Sequence, residues 1–215
     1  DVVINLAGIV GEPACNKNPE EAKSVNEDAV RYMLDCVGNR YFIQASTASC
    51  YGIIENGLAH EFTPLNPISL YSVTKASAEK IVEGRGLIAR FATAYGISPR
   101  MRFDLLLNEW VKDSITRNVI SVYGAQSYRP LVHVFDIARA LEFCVSKGIT
   151  NQTLNIGGQN WQKKTLAECA AGPTTKVVLS ESKQDPRNYR VSFEALNQFG
   201  FECKKTVFQG VDEMT

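Results

Sequence analysis

Short runs rich in apolar residues alternate along this chain with longer stretches whose apolar residues recur every three or four positions. Residues 1–6 and the run Arg40-Tyr41-Phe42-Ile43-Gln44-Ala45 have the continuous character of buried strands. Between them, 19–37 opens on a proline and carries Ala22, Val25, Ala29, Met33 and Val37 on one face, which predicts a helix. Further strands are expected at 87–91, 119–122, 153–156 and 176–179. Helices are expected at 71–82, 105–115 and 193–199, and 132–147 reads as a strand end passing into a helix. Such alternation predicts an α/β fold, a doubly wound parallel sheet with helices on both faces.

Bulk properties exclude several classes of partner. The 215 residues are 45% hydrophobic and 21% charged, ordinary for a globular protein. Basic and acidic residues number 23 each, so no overall field favours nucleic acid or an anionic membrane. No run approaches the roughly 18 apolar residues of a membrane span. The six cysteines have neither Cys-x-x-Cys spacing nor a nearby histidine, so no metal site is expected. They suit small apolar residues in a reducing, cytoplasmic setting.

Candidate chemistry sits at Tyr71-Ser72-Val73-Thr74-Lys75. Four residues apart on a helix, Tyr71 and Lys75 share a face, so the ammonium is expected to draw the phenol's pKa from about 10 towards neutrality. The strand at 40–45 delivers Ser46 and Thr47 to its carboxyl end, where open α/β sheets place their chemistry. A hydroxyl, a phenol and an ammonium are thereby expected to converge.

Several segments, in order, resemble the extended short-chain dehydrogenase/reductases, and within them the nucleotide-sugar epimerases and dehydratases. They are Asp1-Val2-Val3-Ile4-Asn5-Leu6-Ala7-Gly8, Ser46-Thr47-Ala48-Ser49-Cys50-Tyr51-Gly52, Tyr71 with Lys75, Arg90-Phe91-Ala92-Thr93-Ala94-Tyr95-Gly96, Arg129-Pro130-Leu131-Val132-His133-Val134-Phe135-Asp136 and Asn155-Ile156-Gly157-Gly158. The resemblance implies a Rossmann-like dinucleotide-binding unit at 1–100 and 132–158, and a smaller substrate lobe at 101–131 and 159–215. In the family roughly 60 to 70 residues, including the Gly-rich pyrophosphate turn, precede the strand that 1–8 resembles. The expectation is therefore a fragment or a longer protein. Short connections near 83–86 and 170–174 suggest joined segments.

The same resemblance implies that Tyr71 takes a proton from a sugar hydroxyl as hydride leaves its carbon for NAD⁺. Thr47 hydrogen-bonds that oxygen, and Lys75 holds Tyr71 and the nicotinamide ribose. Leu6, Ala7, Gly8, Ser46, Thr93 and Ala94 border the cofactor, which is NAD with NADP not excluded. Strand termination accounts equally well for Thr93 and Ala94. Glu12, Cys15, Ser49, Asn108, Arg129 and Arg187 are the substrate-binding candidates, Glu12 being equally readable as a solvated loop carboxylate. Arginine's planar fork suits a diphosphate, although a surface ion pair also explains Arg129 or Arg187. Homodimerisation is implied through 76–78 and 22–33.

Two local readings narrow the function. The segment Gly8-Ile9-Val10-Gly11-Glu12-Pro13-Ala14 imitates a dinucleotide turn, but Pro13 and Asn16-Lys17-Asn18-Pro19 are expected to prevent a helix from starting, leaving a loop over the sugar. Sugar 4,6-dehydratases of the family carry Thr-Asp-Glu where this chain has Thr47-Ala48-Ser49. Alanine and serine cannot perform a carboxylate's proton transfers, so an NAD-dependent epimerase is expected, working through a transient keto intermediate. The alternatives are an NADP-dependent nucleotide-4-keto-sugar reductase and a non-catalytic dinucleotide-binding relative. Cys50 is expected to point into the core, and His133 to cap the helix that follows it.

Overall fold

The computed structural model describes residues 1–54, 57–180 and 188–215. Its strands are β1 (Val2–Asn5), β2 (Tyr41–Thr47), β3 (Leu87–Phe91), β4 (Thr93–Tyr95), β5 (Val119–Tyr123), β6 (Tyr128–His133), β7 (Thr153–Ile156), β8 (Gln159–Gln162) and β9 (Lys176–Ser180). The α-helices are α1 (Glu12–Lys17), α2 (Pro19–Lys23), α3 (Ala29–Val37), α4 (Leu70–Val82), α5 (Leu106–Arg117), α6 (Val134–Ser146), α7 (Lys163–Ala170), α8 (Glu194–Gln198) and α9 (Val207–Met214). The expected α/β class and parallel sheet are present. Strands β1, β2, β3 and β7 lie side by side in that order, all parallel.

Alternation along the strands assigns each face of the sheet its helices. Phe42 and Ile88 turn to one side, against Val30, Leu34 and Val37 of α3 and Ala78 and Val82 of α4. Ile43, Leu87, Ala89, Leu154 and Ile156 turn to the other, against Ala140, Leu141 and Cys144 of α6 and Leu196 of α8. Each Val, Leu, Ile or Phe side chain among them contributes about 1.5–3 kcal/mol when fully buried. A separate core joins Trp110 of α5, Leu166 of α7 and Val207 of α9 to Ile120 of β5. There β5 pairs with β9, while β6 joins β4 in parallel and β8 antiparallel.

Two expectations need correction or refinement. A helix does begin beyond Gly11: Pro13 falls in the first turn of α1, where its missing N–H costs no intrahelical bond. The helix expected across 19–37 is divided by a π-helical turn at Ser24–Asp28. The wider turn coincides with a buried asparagine, Asn26, whose side chain is fully occupied elsewhere. The connections at 83–86 and 170–174 are tight turns, closed by Arg85 N–H donating to the Val82 carbonyl (2.9 Å) and Thr175 N–H to that of Gly172 (3.0 Å).

Candidate active site

A cavity of about 300 Å³ opens over the carboxyl ends of β1, β2 and β3. Strand β2 leads Ala45, Ser46 and Thr47 to it, and β3 with β4 brings Phe91, Ala92, Thr93 and Ala94. Helix α4 supplies Ser69, Tyr71 and Lys75. Its start is firmly set, because Ser69 and Ser72 form a reciprocal capping box. The expected convergence of hydroxyl, phenol and ammonium is therefore present.

Thr47 is hydrogen-bonded to the Tyr71 phenol and also lies 2.9 Å, oxygen to oxygen, from Ser49. The expected fall in the phenol's pKa is not what the resting site produces. Burial pushes Tyr71 up, outweighing the Thr47 hydrogen bond and the positive charge of Arg102, both of which pull it down. Burial likewise lowers the pKa of Lys75, while Cys50, Glu79 and Cys15 act in the opposite direction. Desolvation is the stronger influence on both groups because each charged form would have to exist away from bulk water.

The residues expected to border a cofactor are close-packed. A Cβ on Gly8 would stand 3.0 Å from Asn26 Oδ1 and 3.6 Å from Lys75 Nζ, so the bare glycine is what lets the loop after β1 pack so closely against Asn26. Asn26 secures that loop: its Oδ1 accepts from Ile9 N–H (2.8 Å), and its Nδ2 donates to the Ile9 carbonyl (3.0 Å) and Thr74 Oγ1 (3.1 Å). Leu6, Thr93 and Ala94 reach the cavity wall, and Ala7 is exposed just before the glycine. Ser46 also reaches it, but its hydroxyl donates to the buried carboxylate of Glu79.

Among the substrate candidates, Glu12 and Ser49 line the cavity. Cys15 is fully buried, and its thiol donates to the Ile9 carbonyl (3.3 Å) rather than facing the opening. Asn108 is a brace: Oδ1 accepts from Gly96 N–H (3.2 Å) and Nδ2 donates to the Arg102 carbonyl (3.0 Å). Arg129 is buried against the Tyr189 ring and donates to the Tyr128 carbonyl (2.8 Å). Arg187 lies outside the described residues. Cys50 does point into the core, from a 3₁₀ turn at Ala48–Tyr51, and burial pushes its thiol up to about 12. His133 caps α6 by accepting the Phe135 N–H (3.1 Å).

Arg102 lines the cavity although the sequence reading gave it no role, and Tyr189 does so from the segment 185–190, which resembles the family's C-terminal substrate segment. The Arg102 guanidinium makes a two-pronged contact with Asp104, at 3.1 and 2.7 Å, while its field reaches the Tyr71 phenol. Its signal in the sequence is the run Arg100-Met101-Arg102 just beyond a strand end, a position where open α/β sheets bind ligands. A bridge between Ala59 and Val191 holds the Tyr189 segment in place.

A parallel α/β sheet with a hydroxyl, a tyrosine and a lysine at its carboxyl edge defines the short-chain dehydrogenase/reductase type of protein. The model of the NAD dependent epimerase/dehydratase family matches residues 1–157, and the chain belongs to that family. It is 30% identical over 173 residues to an uncharacterized UDP-glucose epimerase, YtcB, of Bacillus subtilis, covering 74% of this chain and 53% of that protein. It is 31% identical over 125 residues to a dTDP-glucose 4,6-dehydratase of Streptomyces griseus, covering 54% and 38%. The chain thus spans about half the length, or less, of these relatives. A dTDP-glucose 4,6-dehydratase from Bacillus anthracis, solved in complex with NAD, superimposes with a TM-score of 0.81 at 24% identity, covering 99% of this chain and 70% of that one.

Proposed function

We propose that this chain forms the catalytic part of an NAD-dependent epimerase acting on a nucleotide-diphosphate sugar through a transient keto intermediate. The observation that carries the reading is the hydroxyl-rich wall beside Tyr71. Ala48 and Ser49 stand where a dehydratase of the family uses carboxylates, and neither can perform a carboxylate's proton transfers. Glu12 is the one carboxylate among the described lining residues, so the acid–base pair needed to remove water is incomplete.

The residues around Lys75 suit a dinucleotide: Leu6, Ala7 and Gly8 offer an open, closely packed ledge, and Thr93 with Ala94 the facing wall. When bound, the cofactor supplies reversible two-electron oxidation of the sugar carbon and, in its oxidised form, a positive ring. Tyr71 exchanges a proton with the sugar hydroxyl at its phenolic oxygen, and Thr47 orients that hydroxyl. The cations of Lys75 and Arg102 favour the phenolate when the filled cavity excludes water. Within this reading, 1–100 and 132–158 serve the dinucleotide and 101–131 with 159–215 the substrate. Arg129 and Arg187 are assigned to the diphosphate end. A cytoplasmic homodimer packed through α3 and α4 completes it.

The test is incubation of the full protein with NAD and, separately, UDP-glucose, UDP-glucuronate and dTDP-glucose, followed by chromatography and proton NMR. An epimer formed without net cofactor turnover is expected. A 4-keto-6-deoxy product would replace the reading with a dehydratase, and stoichiometric oxidation of NADPH with a 4-keto-sugar substrate would replace it with a reductase.

A further inference from the structure

Beneath the cavity lies a polar row that proton transfer at Tyr71 does not itself use. Register places Ser46 beside Arg90 and Arg90 beside Asn155, so three polar side chains lie abreast across β2, β3 and β7. They share the sheet face covered by α4. Glu79 of that helix meets the row, accepting from the Ser46 hydroxyl and from Arg90, whose Nε lies 3.0 and 3.1 Å from its two oxygens and whose terminal nitrogen lies 2.6 Å from one of them. Arg90 also donates to Tyr51 Oη (2.9 Å) and the Glu61 carbonyl (2.9 Å), and Tyr51 donates to Asn155 Oδ1 (2.7 Å). Glu79 is therefore held by contacts from two strands.

Glu79 stands one helical turn beyond Lys75 on the same face, and each residue is only 4% exposed. We propose that Glu79 is a positioning residue for Lys75: fixed by Ser46 and Arg90, its carboxylate holds the lysine as an ammonium at the floor of the cavity. The other groups acting on Lys75 are the thiols of Cys50, on the 3₁₀ turn, and Cys15, on α1, with Glu79 the carboxylate among them. Tyr71 shares the lysine's helix, and Gly8 and Asn26 close the side towards β1. Within the Glu79–Arg90 ion pair, the carboxylate belongs to the lysine's own helix and the guanidinium to β3. A buried amine without a fixed negative charge sheds its proton readily.

The catalytic use of Lys75 rests on the proposed function, but its protonation can be read without substrate or cofactor. Competitive acetylation of the native chain at pH 8, resolved by residue with mass spectrometry, reports the neutral amine. Glu79→Gln should acetylate at Lys75 at least about threefold faster than the parent, corresponding to a fall of roughly half a pKa unit. Exposed Lys80 on the same helix and buried Lys163 in the other core should keep their parental rates. An unchanged rate at Lys75 with Lys163 still protected overturns the proposal. If Lys163 also accelerates, the fold has opened and Glu79→Asp decides instead, since it draws the charge back by one methylene. Faster Lys75 alone in that variant supports the role, and an unchanged Lys75 overturns it. A sugar-nucleotide assay that fails while these rates change removes the proposed function and leaves the Glu79–Lys75 coupling intact.

Discussion

Helix α4 serves two polar regions one turn apart, and they are built on opposite terms. At the cavity, Tyr71 has a hydrogen bond from Thr47, and Lys75 has charge influences but no ion pair within 4 Å among the described residues. One turn further, Glu79, Arg90, Tyr51 and Asn155 satisfy one another, and Asn155 also donates from its side chain to the Ser192 carbonyl (3.1 Å) and from its backbone N–H to Glu61 Oε1 (2.9 Å). The groups at the cavity are left with unspent hydrogen-bonding capacity, whereas those that hold the sheet and helix in register are saturated. A fully connected buried network rigidifies its surroundings, and a partly connected one leaves freedom for chemistry.

The sharpest way to break this contrast is to remove reactivity without removing structure. Tyr71→Phe keeps the ring and deletes the phenol oxygen, so the epimerisation rate should fall by about 10²- to 10⁴-fold with thermal unfolding nearly unchanged. A matching loss of stability would mean that the cavity phenol belongs to the scaffold. Arg90→Met does the reverse: it strands Glu79 as an unpaired buried carboxylate, and chemical denaturation should show a loss of about 3–5 kcal/mol. A loss below 1 kcal/mol would show that the network is not saturated in solution.

The smallest effect concerns Lys75 itself. Its folded pKa lies below its ordinary value, so the unfolded chain holds this proton more tightly and the lysine opposes folding at neutral pH. That penalty fades as pH rises through the folded pKa and is gone above the ordinary value of 10.5, where neither state holds the proton. Lys75→Met should therefore unfold at a higher temperature than the parent at pH 7, with the difference shrinking in scans taken at increasing pH. A gap that grows with pH would reverse the sign assigned to burial.

Much of this molecule is legible in one dimension. Strands at Leu87–Phe91 and Thr153–Ile156 and the reactive face of α4 follow from apolar periodicity and from a spacing of four, because those interactions join near neighbours or obey a fixed repeat. Tyr71 and Lys75 could be paired for the same reason, with Ser46 and Thr47 at the strand end beside them, whereas the choice of Thr47 came from the resemblance to the family. Tertiary structure alone decided which other polar residues face the cavity. It turned Cys15, Asn108 and Arg129 inward to satisfy Ile9, Gly96 and Tyr128, and it brought in Arg102 and Tyr189. It also set Ser46, Arg90 and Asn155 in one row, although in sequence each is merely a polar residue inside a strand. A buried polar side chain must find its partner wherever the fold puts one, and strand register sets that across separations local sequence does not encode.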